Sequence, residues 1–301
     1  MRALVPYEAW SVDPDLPAGL VVDVYAGGEP TTPVDDVEFY VLPYMAGPEP
    51  ARLITRLPSL KVVQTLTAGV DDVRPLVPDG VVLCNARGVH DASTAELAVA
   101  LVLASQRGIP DFVRDAQHGR WAGGRRESLA DRTVLVVGYG SVGQAVDARL
   151  APFECTVRRV ARRARDGIAG FAELPALLPD ADVVVLTVPM TDETRGMADA
   201  EFLAAMKDGA LLVNVSRGAV VVTDDLLAEV STGRLRAAAA RGRSRPWPPD
   251  HPLWSLPNVL VSPHVGGNTS AFLPRARRLV VDQLRRYVAG EPLRNVISSD
   301  Y

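Results

Sequence analysis

The chain has 301 residues, of which 48% are hydrophobic and 23% charged, with 24 glycines and 24 prolines. That is the composition of a globular protein, and it excludes disorder, collagen and coiled coil. The formal net charge of −4 argues against a nucleic-acid partner, and at roughly 100–200 residues per domain the length suggests two domains.

All of the cationic residues except Lys61 and Lys207 are arginine, a bias that reads as a GC-rich gene. Cys84 and Cys155 sit in apolar, strand-like runs. They are too few for a disulfide framework and lack the spacing of a metal site. The opening Met-Arg-Ala-Leu-Val-Pro-Tyr has no signal-peptide core, and no apolar run approaches the roughly 20 residues of a membrane span. The expectation is a soluble cytoplasmic protein with no metal and no membrane partner.

In chain order, short β-branched runs at residues 20–25, 39–42, 62–66 and 81–84 alternate with turn residues, and 49–58 has helical character. The apolar run at 93–106 reads as a buried helix, with Ser93 as N-cap and Glu96 completing a capping box. Residues 118–128 are polar and glycine-rich, a surface loop. A second series follows, with strand runs at 133–137, 156–160, 182–188, 211–215 and 259–262. Helices are expected at 142–150, 201–206 and 224–231. These apolar runs lack polar alternation, which suits parallel strands buried on both faces. An arginine-decorated amphipathic helix over 272–289 closes the chain. The economical architecture is α/β, two Rossmann-like units of doubly wound parallel sheet.

Gly138-Tyr139-Gly140-Ser141-Val142-Gly143 follows the run 133–137 directly and opens a helix. Gly138 permits a tight turn, Gly140 lets a pyrophosphate approach the backbone, and Gly143 lets helix and strand pack closely. The phosphates would sit at the helix N-terminus, where free N–H groups and the dipole favour negative charge. An acidic residue about 20 positions on would bind the adenosine 2′-hydroxyl of NAD. Here the next strand runs instead into Ala161-Arg162-Arg163-Ala164-Arg165. Guanidinium groups suit a 2′-phosphate through forked, charge-assisted contacts. Arg162 and Arg163 therefore point to NADP(H) as cofactor, with NAD(H) as the other choice; the bland alternative is an exposed basic loop.

Further segments carry a resemblance that covers most of the chain. They are Thr67-Ala-Gly-Val-Asp71, Asn85-Ala-Arg-Gly88, Thr94-Ala-Glu96, the glycine loop, Val188-Pro-Met-Thr-Asp-Glu-Thr-Arg195, Val213-Asn-Val-Ser-Arg-Gly218 and the stretch from Pro252 to Ser262-Pro-His264. Together, and in this order, they resemble the D-2-hydroxyacid dehydrogenase family. The resemblance implies a discontinuous substrate domain, 1–95 plus 275–301, with a dinucleotide-binding domain, 96–274, inserted in it. It also implies an active site in the cleft between them, a homodimer, and reversible hydride transfer between a nicotinamide and a small 2-oxo or 2-hydroxy acid. Glyoxylate or hydroxypyruvate would fit by size.

By the same resemblance, Arg217 binds and polarises the substrate, and its fork of donors suits a carboxylate. His264 is the acid/base, a role that an unperturbed pKa near 6.5 suits. The amides of Ala68, Gly69 and Val70 cradle the carboxylate, while Thr94, Pro189, Thr194 and Ser216 lie by the cofactor. His118 and His251 fall in polar loops, and His90 is a lesser candidate for the cleft.

One stretch departs from the family. Where it carries an Asp for the nicotinamide amide and a Glu for the histidine, this sequence has Ala240 and Arg245. Three accounts of 237–246 stay open: a rearranged loop with Asp250 serving His264, a dinucleotide-binding regulatory or interaction protein with impaired catalysis, or a local shift of reading frame.

Overall fold

The computed structural model describes residues 1–241 and 247–298. The chain divides into two compact units, Met1–His90 with Ser270–Tyr301, and Asp91–Thr269. Each is a parallel sheet with helical cover, as the unalternating apolar runs imply.

In the first unit the strands are β1 (Arg2–Val5), β2 (Val21–Val24), β3 (Val37–Val41), β4 (Val62–Gln64) and β5 (Val82–Cys84), in the order β2-β1-β3-β4-β5. β1 lies inside this sheet although its four residues are too short to stand out in the sequence; Ala3, Leu4 and Val5 are fully buried. One sheet face is closed by the helix Phe272–Ala289, whose Phe272, Ala276, Val280 and Leu284 recur every fourth residue and pack on Ala3, Val5, Phe39 and Val41. On the other face Leu53, Ile54, Leu57 and Leu60 close a second core. The helical character expected near residue 50 is a helix, Glu49–Arg52, running into a 3-10 turn, Leu53–Arg56.

The second unit contains β6 (Thr133–Val137), β7 (Thr156–Ala161), β8 (Ala169–Gly170), β9 (Val183–Leu186), β10 (Leu211–Asn214), β11 (Arg236–Arg241) and β12 (Val259–Pro263). Their order is β12-β11-β10-β9-β6-β7-β8. Side chains alternate between two cores: Leu135, Val137, Val184, Leu186 and Leu212 on one face, Val134, Val136, Val183, Val185 and Val213 on the other. The chain moves outward from β6 to β7 and β8, then returns past β6 to β9. This reversal makes the carboxyl end of β6 and β9 a topological switch point, where open α/β sheets bind ligands.

Two local expectations change. The helix starts at Asp91, not after Ser93 (Asp91–Arg107). Ser93 is buried within its first turn, and its hydroxyl lies 2.8 Å from Thr269 Oγ1, so a tertiary contact takes the place of the cap. The sequence does not signal β11, because its run of alanines has little strand propensity. Ladders to β10 and β12 on either side, with Ala237 and Ala238 buried, override that preference.

Candidate active site

The strand register assembles the site. Val160, Val137, Leu186, Asn214, Ala239 and Val261 form one continuous row across β7, β6, β9, β10, β11 and β12. Since all these strands are parallel, they leave the sheet at the same edge. Gly138 is one residue beyond the row; Arg162 and Ser216 are two beyond it. Arg163, Pro189, Arg217 and His264 are each three beyond it. Residues far apart in sequence thus share one edge of the second unit.

At the switch point the glycine turn has the geometry its sequence demands. Gly138 has φ +105°, and a Cβ there would lie 2.6 Å from the Val188 amide nitrogen. A Cβ on Gly143 would meet Gly138 O at 2.4 Å, so the helix Ser141–Leu150 sits hard against the turn. Gly140 differs: a Cβ there would meet nothing within 4 Å. The helix N-terminus has no side-chain cap, which leaves its first amides for another acceptor. Thr187 Oγ1 donates to Gly138 O at 2.7 Å and holds the turn to β9.

Tyr139 is tied down by its hydroxyl, which donates to Asp147 in the following helix, while Arg159 Nε donates to Asp147 Oδ2 at 2.7 Å. Burial pushes the Asp147 carboxyl up, but the hydrogen bonds from Arg159 and Tyr139 outweigh it and leave it below the ordinary range. Beyond β7, Arg162 pairs with Glu193 at 3.0 Å and Arg163 is exposed. Arg165, which the sequence did not single out, donates to Tyr139 O at 2.9 Å and braces the glycine turn. Thr194 is buried and shapes the loop after β9; its hydroxyl donates to Pro189 O at 2.6 Å and accepts from the Thr191 amide at 2.9 Å.

Arg217 is half-buried, and Asn214 sets its loop. The Asn214 carboxamide accepts from the Ser216 amide at 2.9 Å and donates to Arg217 O at 2.9 Å. An Asn two residues before a turn is a local sequence signal for such a bracket, and here it marks Asn214 as a positioning residue outside the expected site residues. The Ser216 hydroxyl oxygen is buried and, among the described residues, has no hydrogen-bond partner. His264 follows β12 directly and is half-buried. The segment after it meets the first turn of the helix Asp91–Arg107, where a Cβ on Gly266 would lie 3.3 Å from Thr94 Oγ1.

In the first unit, Ala68, Gly69 and Val70 follow β4 and their carbonyls are all engaged. Ala68 O accepts from Asn85 Nδ2 at 2.7 Å, Gly69 O from Thr67 Oγ1 at 2.8 Å, and Val70 O from the Arg74 amide at 2.8 Å. His90 is buried, stacked between Tyr44 and Phe272, with Nε2 2.7 Å from Leu66 O, which makes it a core histidine. His118 is exposed as expected. His251 is half-buried, stacks on Trp247 at 5.3 Å and accepts from the Leu253 amide. Ala240 lies in β11 opposite Ser262, Asp250 is exposed, and Arg245 lies outside the described residues. Among the described residues there is no cluster of three or more metal-ligating side chains, and no helix is long and apolar enough to cross a membrane.

The family model described as "D-isomer specific 2-hydroxyacid dehydrogenase, NAD binding domain" matches residues 99–266. The D-3-phosphoglycerate dehydrogenase of Methanocaldococcus jannaschii is 31% identical over 258 residues, covering 82% of this chain and 49% of that protein. The chain therefore spans about half the length of the phosphoglycerate dehydrogenases it matches. The glyoxylate reductase/hydroxypyruvate reductase of Mus musculus is 31% identical over 249 residues, 78% of this chain and 76% of that protein. A solved structure of a D-isomer specific 2-hydroxyacid dehydrogenase from Xanthobacter autotrophicus Py2, in complex with NADPH and MES, is similar with a TM-score of 0.83. Its identity is 29%, over 100% of this chain and 99% of that chain.

Proposed function

The chain belongs to the D-isomer specific 2-hydroxyacid dehydrogenase family, and from that premise we propose that it transfers hydride between NADP(H) and a small 2-oxo or 2-hydroxy acid. The observation that carries this reading is the sheet edge. Arg217 and His264 each stand three residues beyond one register row, at the edge that also bears the glycine turn.

The residues present suit a dinucleotide. The space at Gly140 would admit a diphosphate, the uncapped helix amides would bind it, and the buried Ser216 hydroxyl would gain a partner. Arg163, and Arg162 once exchanged from Glu193, would face a 2′-phosphate; the Xanthobacter structure holds NADPH. Tyr139, Ser141, Val142 and Gly143 complete that cradle, with Thr94, Pro189 and Thr194 shaping its walls. We assign dinucleotide binding to the second unit and substrate binding to the first.

A bound nicotinamide supplies or accepts the hydride. The protein does the rest. The Arg217 guanidinium pairs with the substrate carboxylate and polarises the carbonyl. His264 gives a proton to the alkoxide oxygen in reduction and takes it back in oxidation. By the family's pattern the amides of Ala68, Gly69 and Val70 would cradle the substrate carboxylate, on a segment whose carbonyls bond within their own unit. We also infer a homodimer, since Ile109, Phe112, Val113 and Trp121 are large apolar side chains left exposed along one short stretch.

The residues at 240 and 245 favour a second reading, a dinucleotide-binding protein that does not turn over. One assay separates the two: the absorbance of NADPH on mixing with glyoxylate, hydroxypyruvate and pyruvate. Turnover, with NADPH preferred over NADH by about tenfold or more, is the expected result. Tight NADPH binding without turnover favours the second reading, and failure to bind either dinucleotide removes both.

A further inference from the structure

At the other end of the second unit's sheet, where β11 and β12 begin, lies a cavity of about 340 Å³. At about 3.3 Å per residue, the length of β11 puts it some 15–20 Å from the edge carrying Arg217 and His264. Its wall includes the last turn of the helix Asp91–Arg107, the start of the helix Ile109–Gln117, the segment 125–127 and Arg236, the first residue of β11.

The charge in this wall does not balance. Asp111 is matched by Arg114 at 2.6 Å and Arg126 at 3.1 Å, and Glu127 pairs with Arg132. Arg236 is half-buried and bonds only neutral groups, with Nε to Gly209 O at 3.1 Å and an Nη to Gln106 Oε1 at 3.0 Å. Among the described residues no carboxylate lies within 4.0 Å of Arg236 or Arg125. Burial, with some repulsion from Arg132, pulls the Arg236 guanidinium below its ordinary pKa, and the attraction of Glu127 only partly offsets it. Ser105 also lines the cavity, and its hydroxyl oxygen is buried and unpartnered among the described residues.

A half-buried guanidinium with no carboxylate in contact and an orphan hydroxyl are both costly to bury, and a ligand that accepts from both lowers both costs. An anion rich in oxygen acceptors does this best, because its bonds to the guanidinium are charge-assisted. We propose that this cavity is a binding site for a small, multiply charged oxyanion, held by Arg236, Arg125 and the Ser105 hydroxyl and separate from the catalytic edge. The assignment stands independently of the hydride-transfer reading.

The test is calorimetric titration of the full chain with inorganic phosphate, and with citrate as a second probe, at ionic strength held constant with KCl. Saturating NADPH is included, so that the glycine turn does not contribute. Saturable binding of at least one probe is expected, weakened about tenfold or more by Arg236→Met and about threefold by Arg125→Ala or Ser105→Ala. Arg125 is exposed and Ser105→Ala is small, so these two decide the matter if Arg236→Met does not fold. No saturable binding of either probe overturns the proposal, and so does binding that Arg125→Ala and Ser105→Ala leave unchanged.

Discussion

Arg217 owes its place to Asn214, whose carboxamide brackets the turn from both sides. Asn214→Ala removes both bonds, and the expected result is a rise in KM for the oxo acid of about tenfold with a fall in kcat, since misplacing a reactive group by about 1 Å costs up to 10²-fold. His264→Gln keeps shape and hydrogen bonding but not proton transfer. It should lower kcat by about 10²–10⁴ with NADPH affinity unchanged, and loss of NADPH affinity would contradict the role given to it. The glycines separate fold from ligand. Gly143→Ala drives a methyl into the backbone at Gly138 O and should cost about 1–3 kcal/mol in chemical denaturation. Gly140→Ala meets no protein atom, so its melting temperature should match the parent while NADPH affinity falls about tenfold or more. Equal effects of the two alanines on stability would refute the space assigned to the diphosphate.

At the scale of elements, the terminal helix is held by more than its apolar stripe. Arg277 in that helix bonds the buried Asp13 through both Nε and Nη2, the latter at 2.6 Å. Burial pushes the Asp13 carboxyl up; the Arg277 hydrogen bonds and the Asp15 amide outweigh it, and the net pKa is below the ordinary carboxylate value. Asp147 and Asp182 are shifted in the same direction. A carboxylate depressed by folding stabilises the native state above its unfolded pKa, near 4, and loses that contribution as pH falls through the folded value. The melting temperature should thus hold between about pH 5 and 8 and drop below about pH 4. Asp13→Asn should lower it at pH 7 and flatten the acid slope; an unchanged slope would remove Asp13 from the cause. β11 and the first turn at Asp91 teach the complementary lesson. Their sequences carry weak or misleading local signals, and partners distant in the chain decide their conformation.

For the whole molecule, self-association is the property most open to measurement. Trp121 is wholly exposed, and Ile109, Phe112 and Val113 are exposed on the helix Ile109–Gln117 or at its start. Sedimentation should show a dimer, converted to monomer by Trp121→Glu with Phe112→Glu; a monomeric parent protein would end that inference. The sequence alone determined the two α/β units, the glycine turn, and the candidates Arg217 and His264. Period, glycine spacing and strand-end position are local properties that survive without coordinates. Tertiary structure alone decided that β1 and β11 are strands, that His90 is a stacked core residue, and that Asn214, Arg165 and Asp147 brace the site. It also decided that the hydrogen bonds of Arg236 go to neutral groups. Each of these depends on what another segment places beside a residue, and a one-dimensional pattern cannot encode that neighbour.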